Sequence, residues 1–229
     1  MRIRININVK VSRLVKYFVL CDLSLLAGWG LIEPVFSIFI IERVVGATLV
    51  TVGGAAAIYW LLRSVLQLPL ANRLDRTPGE KDDFYALILG LFIASFSAVL
   101  FAFVTQVWQL YLVQALHAVG FALYAASWPA IFSRHLDKDR VSFDWALDST
   151  GVGISSGISG FLGGVIANWF GFNAVFILAS LFSVLAAVIL ILAPELILPK
   201  KTTDEIVAVK DGLAAKLNRH AGPAGTNLK

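Results

Sequence analysis

The stretch LANRLDRTPGEKDD, residues 70–83, lies between two long apolar segments of the chain. Eight of its fourteen residues are charged or asparagine, although the segments on both sides are ones that water should reject. Pro78 and Gly79 favour a turn inside it. Such a tight, charged turn is typical of a loop that is held at the membrane surface between two membrane-spanning helices.

The composition of the whole chain agrees with that interpretation. The chain has 229 residues, of which 58% are hydrophobic and 15% are charged, and its mean hydropathy is +0.80. A soluble domain carries about a quarter charged residues, so the sequence predicts an integral membrane protein. The single cysteine, Cys21, excludes a disulfide framework. The net charge of +4 is not gathered on a basic face of the kind that binds nucleic acid.

Apolar segments of about 20 residues, the length that crosses a bilayer as a helix, occur six times. We therefore predict an all-α membrane protein whose six transmembrane helices lie at 17–41, 48–70, 84–104, 109–132, 146–167 and 172–194. Residues 1–16 would form a basic cytoplasmic leader, with an edge strand as the alternative because apolar and polar residues alternate there. Residues 195–229 would form a cytoplasmic tail, with an amphipathic helix that begins after Thr203.

The distribution of Lys and Arg predicts the orientation of the helices. Seventeen of the nineteen Lys and Arg residues fall in the leader, in the second-to-third loop, in the fourth-to-fifth loop or in the tail. All these segments lie on one side of the membrane when six helices are counted. Cytoplasmic loops carry this excess of positive charge, so we expect an integral protein of the cell (cytoplasmic or inner) membrane with both termini in the cytoplasm.

Residues 70–83 resemble the loop between the second and third helices of the major facilitator superfamily of secondary transporters, Gly-x-Leu-Ala-Asp-Arg-x-Gly-Arg-Arg. Ala71 stands for the first Gly, Asp75 and Arg76 match the central pair, and the later Gly falls at Gly79. In the family this loop is a cytoplasmic latch. The resemblance therefore assigns a latch role to Asp75 and Arg76. The latch would also include Arg73, Arg140 and Asp148.

Two further segments are similar to motifs of the same family but depart from them. Gln114 stands where the fourth helix often carries Arg, and residues 159–164 lack the Pro that marks the fifth helix of antiporters. The resemblance thus does not support antiport. The sixth segment begins at a short Gly-Phe turn, as in the family.

The resemblance covers one six-helix half of a fold that usually has two, and this half is similar to the N-terminal one. Each half is a pair of inverted three-helix repeats. Pro34 and Pro129 would interrupt corresponding helices of a 3+3 inverted repeat. A half with a cavity wall needs a partner, so the expected partner is a second copy of the chain or another six-helix chain.

Charged residues inside the spans are expensive and call for an explanation. Asp22 and Arg63 lie at similar depth in the first two spans, so they are predicted to form an intramembrane ion pair, with a gate or a substrate contact as the alternative. Glu33 and His117 lie at similar depth in spans one and four. In the family both of these spans line the central cavity, which makes the two residues a candidate substrate or proton site.

Further polar and aromatic residues complete that candidate site, which we predict to include Gln114, Gln67 and Trp128. Trp29, Trp60 and Tyr124 are further aromatic candidates for the cavity wall. The alternative is structural: Glu33 hydrogen-bonds backbone freed at the Pro34 kink, and His117 satisfies a packed interface. No metal-ligand spacing, phosphate loop or nucleophile constellation is present in the sequence, so neither an enzyme nor a cofactor is expected.

The predicted function is secondary active transport of a small polar or ionic solute by alternating access. The chain would act as a homodimer of six-helix halves, with proton coupling at the candidate site. Two alternatives stay open at this point: a subunit of a hetero-oligomeric transporter, and a membrane scaffold that transports nothing.

Overall fold

The computed structural model describes residues 13–76 and 79–192. The alternating leader, Pro78 and the predicted tail helix therefore lie outside the described residues, apart from the last leader residues. The helices are α1 (Arg13–Ile32), α2 (Phe36–Arg43), α3 (Leu49–Leu74), α4 (Lys81–Phe101), α5 (Val107–Arg134), α6 (Val141–Phe170) and α7 (Phe172–Ile191).

Six of these helices are long and apolar enough to cross a membrane, namely α1 and α3–α7. Each overlaps one of the six predicted segments, which confirms the all-α class and the number of spans. In lipid, a helix satisfies every backbone N–H and C=O within its own segment, which is why apolar runs of this length become helices. The described residues contain no named strand, and Val45 and Gln106 form one isolated bridge.

The first span is not continuous, because α1 ends at Ile32 and α2 begins at Phe36. Pro34 lies between them and has no N–H to continue the hydrogen-bond ladder. The predicted interruption at this proline is therefore confirmed. Pro129 behaves differently, since it lies inside α5 and the helix runs on to Arg134. The predicted interruption of the fourth span is wrong, because α5 continues through its proline.

The helices pack in a fixed order of neighbours. α3 packs on α5, α5 on α4, α4 on α7, α7 on α1, and α1 on α6. The two helices at the ends of this row, α3 and α6, bury few of their residues: Thr51 and Ala55 in α3, and Asp144, Asp148, Ser159 and Gly163 in α6.

Two glycines show how closely the backbones approach. A Cβ atom at Gly90 of α4 would lie 2.8 Å from the carbonyl oxygen of Gly120 of α5, so these two helices touch through their backbones. Gly171, between α6 and α7, has a φ of 80°, a conformation that side chains other than glycine rarely adopt. It reverses the chain between the last two spans, where the sequence predicted a Gly-Phe turn.

Candidate functional site

A cleft of about 430 Å³ opens between α1, α3 and α5. Its polar wall combines Glu33 at the end of α1, Arg63 of α3, and Gln114 and His117 of α5. Residues of spans one and four, among them Glu33 and His117, thus line a common cleft, and their role as a substrate or proton site stays a prediction. The volume lies in the range of about 300–1,000 Å³ that is usual for small-molecule sites.

Aromatic rings hold His117 in place on both faces of its imidazole. The indole of Trp29 stacks on one side at 3.9 Å between ring centroids, with the planes 5° apart. The phenol of Tyr59 stacks at 4.5 Å and 19°. The Nδ1 atom lies 3.1 Å from Oε1 of Gln114. An amide oxygen only accepts, so Nδ1–H donates and the neutral ring keeps Nε2 as an acceptor. Nε2 is buried and has no hydrogen-bond partner.

Arg63 lies among aromatic rings and not against a carboxylate. Its guanidinium carbon is 5.8 Å from the ring centroid of Tyr59, 5.4 Å from that of Trp60 and 5.9 Å from that of Phe121. Its Nη1 donates to the hydroxyl of Tyr59 at 3.1 Å. No carboxylate of the described part of the chain lies within ion-pair distance of it. The predicted pair with Asp22 is therefore wrong for this structure, because α1 packs on α6 and α7 while α3 packs on α5.

Asp22 is buried and does not line the cleft. The hydroxyl of Tyr124 donates a hydrogen bond to its Oδ1. Only 3% of its surface is exposed. Asp148 of α6 is close enough to interact electrostatically with Asp22, and its own Oδ1 is buried with no hydrogen-bond partner. Asp148, predicted as a latch residue, thus lies in a buried acidic cluster with Asp22 and Tyr124.

Two residues of the predicted site lie elsewhere. Trp128 is buried and stacks on Phe132, with centroids 4.6 Å apart, in an aromatic cluster that also contacts Trp145 of α6. Gln67 is one helical turn beyond Arg63 and does not line the cleft. Of the aromatic candidates, Trp29 and Trp60 line the cleft and Tyr124 does not.

Tyr59 and Phe121 were not predicted from the sequence, and both lie against Arg63 and His117. Both have a sequence signal. Tyr59 precedes Arg63 by four residues and Phe121 follows His117 by four, so each lies one turn away on the same helix face.

Two acids of residues 70–83, at the start of α4, find their partners at the end of α5. Asp83 accepts from Nη1 of Arg134 at 2.5 Å, and Glu80 lies 4.0 Å from the same nitrogen and 3.4 Å from Nε2 of His135. Asp83 is 1% exposed. This set, Glu80, Asp83, Arg134 and His135, is hereafter the α4–α5 charge cluster. It ties the loop before α4 to the end of α5.

The predicted latch residues lie in different surroundings among the described residues. Asp75 and Arg76 are exposed after the end of α3, and Arg73 and Arg76 line a small surface cleft with Asn72. Arg140 stacks over the ring of Phe143, 4.3 Å from its centroid. Asp75 still contributes a favourable electrostatic interaction to Arg134 of the charge cluster. The latch itself stays a prediction.

Six helices long and apolar enough to cross a membrane, three of which enclose a cleft with polar and charged side chains, define the class, a polytopic helical membrane protein. The model of the Major Facilitator Superfamily matches residues 18–220. The chain belongs to this family, whose members are transporters and not enzymes, and it is an integral membrane protein.

Two relatives illustrate the extent of the match. The chain is 24% identical over 179 residues to an uncharacterized MFS-type transporter of Methanocaldococcus jannaschii, a match that covers 78% of this chain and 45% of that protein. Its fold is similar to the in meso crystal structure of the POT family transporter PepTSo, with a TM-score of 0.60 at 13% identity. That match covers 81% of this chain and 38% of the other. The chain thus spans less than half the length of either relative.

Proposed function

We propose that the chain forms one wall of a secondary transporter that moves a small polar or ionic solute by alternating access. The observation that carries the proposal is the cleft between α1, α3 and α5, where Glu33 and Arg63 lie without ion-pair partners among the described residues. Unpaired ionisable groups inside a membrane protein are costly and mark solute or ion pathways.

The order of helix packing supports the predicted inverted repeat. When spans one, two and three are exchanged with spans four, five and six, the five most extensive pairs of neighbours map onto one another: α3·α5 becomes α6·α1, α5·α4 becomes α1·α7, and α4·α7 stays itself. The smaller contacts α6·α7 and α2·α3 have no such counterpart. A repeat of this kind places the solute site between its two halves. The cleft lies between α1 and α5, which are the first helices of the two proposed repeats.

The second wall of the pathway comes, in this proposal, from a second copy of the chain. Large apolar side chains are exposed along both end helices, among them Leu61 and Val65 of α3 and Ile158 and Phe161 of α6. In a ring closed by a two-fold axis, the α3 end of one copy meets the α6 end of the other. A different six-helix unit would cover the same faces in the hetero-oligomeric alternative.

In this proposal, Glu33 and His117 bind and release the coupled proton. The two titratable side chains share the cleft, and Glu33 lies at the exposed turn between α1 and α2 while His117 is buried behind Trp29. The proposed orientation, with both ends of the chain in the cytoplasm, follows from the distribution of Lys and Arg.

Reconstitution into vesicles that contain a pH-sensitive dye tests the proposal. A panel of small polar and ionic solutes is added outside, and solute-driven proton movement is recorded for the wild type and for Glu33→Gln. Glu42→Gln is the matched control, since Glu42 lies on α2 and does not line the cleft.

We expect at least one solute to drive proton movement in the wild type and in Glu42→Gln, but not in Glu33→Gln. Solute uptake without proton movement would reject the coupling and keep the transport. A scaffold predicts that no solute of the panel moves, even in vesicles where cross-linking shows that the copies are paired.

A further inference from the structure

The guanidinium of Arg63 lies deep in the bilayer region. It is fourteen residues from the start of α3 and eleven from its end, which places it ~21 Å and ~17 Å from the two ends of that helix. A cation at this depth is costly unless a counter-charge compensates it. The described carboxylates do not supply one, because Asp22 is turned toward Tyr124 and Glu33 lies beyond ion-pair distance.

The described contacts of Arg63 use only part of the hydrogen-bonding capacity of its guanidinium. The group carries five N–H donors in a planar fork, and the described contacts account for one of them, the bond from Nη1 to Tyr59. The rings of Tyr59, Trp60 and Phe121 flank the group and attract it through their faces. These rings orient the planar guanidinium. A ring face, however, cannot accept the pair of parallel hydrogen bonds that a carboxylate accepts.

We propose that the cleft selects a small organic monoanion, whose anionic group pairs with Arg63 and whose apolar body lies against the aromatic wall. The substrate class deepens the proposed transport function and rests on it. A planar guanidinium matches carboxylate, phosphate and sulfonate groups bidentately. The aromatic wall of Trp29, Tyr59, Trp60 and Phe121 suits a flat apolar body.

Glu33 favours a solute that carries a single negative charge. Its carboxylate lines the same cleft as Arg63, so a second negative charge on the solute would be repelled by the like charge of Glu33. A monoanion is therefore favoured over a dianion that carries the same ring.

Binding of four ring-matched probes tests the proposal in lipid nanodiscs. The probes are 4-methylbenzoate, 4-methylbenzyl alcohol, 4-methylbenzylamine and terephthalate, and the readout is calorimetry. The variants are Arg63→Gln and Arg63→Lys, with Arg43→Gln as the matched control. Arg43 also stacks on a ring, that of Phe172 at 5.9 Å, but it lies outside the cleft. Thermal unfolding of each variant verifies that it is folded.

We expect the benzoate to bind about tenfold or more tightly than the alcohol, the amine and the dianion, since a charge-assisted pair is at least that strong. Arg63→Gln should remove this preference, Arg63→Lys should keep a weakened one, and Arg43→Gln should leave it unchanged. Equal affinity for the alcohol, preference for the amine, an unaltered benzoate affinity in folded Arg63→Gln, or no binding of any probe would each overturn the assignment.

The experiments can contradict the anion assignment and the transport function independently of each other. A wild-type chain that prefers the benzoate but moves no solute into vesicles contradicts the transport function alone. A chain that moves solutes but prefers the amine contradicts the anion assignment alone.

Discussion

Single side chains decide where charge lies inside this bundle. Arg63 is surrounded by rings, His117 is stacked between Trp29 and Tyr59, and Asp22 is held by Tyr124. Each group is stabilised by a neighbour from another helix or from the next turn. Removing such a neighbour leaves a buried polar group unsatisfied, which costs more than the mean value of a hydrogen bond.

The first prediction concerns the phenol that holds Asp22. Tyr124→Phe keeps the ring but removes the donor to a carboxylate that is almost fully buried, so we expect a loss of about 1–3 kcal/mol in the free energy of unfolding. The measurement is thermal unfolding in a fixed detergent. Tyr85→Phe is the control, because Tyr85 is 63% exposed. A Tyr124→Phe protein as stable as Tyr85→Phe would show that the carboxylate does not need this donor.

Pairs of helices are joined by a few specific contacts as well as by apolar packing. α4 and α5 meet at two such points, the close approach of Gly90 and Gly120 and the α4–α5 charge cluster with Asp83 and Arg134. The two points lie well apart along the same pair of helices. They therefore fix both the distance between the helices and their relative position along the axis.

Arg134→Gln tests the charge cluster. Asp83 is buried while the side chain of Arg134 is 38% exposed, so solvent screening reduces the effect and we expect a loss of about 2 kcal/mol in unfolding free energy. Arg76→Gln, at an exposed arginine of the neighbouring loop, should change little. The double variant Asp83→Asn with Arg134→Gln should recover part of the loss, because no buried charge is then left alone. Equal losses for the two arginines would contradict the cluster as a stabilising contact.

Gly90→Ala tests the backbone contact. The added methyl group would lie 2.8 Å from a carbonyl oxygen of α5, so the helices must separate, and such overpacking typically costs about 1–3 kcal/mol. Gly53→Ala is the control, since a Cβ at Gly53 meets nothing within 4 Å, and alanine favours a helix over glycine. Unfolding curves that order the two variants the other way would show that α4 and α5 adapt freely.

At the largest scale, the described helices form an open row in which α3 and α6 are the ends. The cleft lies on one side of this row, and the end helices expose apolar faces. Both features suit a bundle that is completed by a second wall. In the proposed two-fold pairing, the α3 end of one copy meets the α6 end of the other.

Disulfide cross-linking tests that pairing. Cys21 is first replaced by Ala, which removes the one native thiol, and single cysteines are then placed on α3 (Leu61 or Val65) and on α6 (Ile158 or Phe161). Mixtures of an α3 cysteine chain with an α6 cysteine chain should form cross-linked dimers in native membranes. A cysteine at Leu89, exposed on α4, should not cross-link with any of them. Cross-links that favour Leu89 would place the interface on another face.

The membrane-spanning helices follow from the sequence because their cause is local. Runs of about 20 apolar residues must satisfy their own backbone in lipid, and Pro34 ends α1 because it lacks an N–H. The placement of Glu33 and His117 in one cleft was also predicted, but that step used the resemblance to a family as well as the depth of each residue.

Only the tertiary structure decided which polar side chains meet. Asp22 and its partner Tyr124 are 102 residues apart in the chain, and Asp83 and Arg134 are 51 apart. Depth along a helix can be counted from the sequence, but the direction in which a side chain points depends on helix rotation and on which helices are neighbours. For that reason Asp22 and Arg63 share a depth and still face different neighbours. The same rotation turns Arg63 toward the aromatic wall and Trp128 away from it.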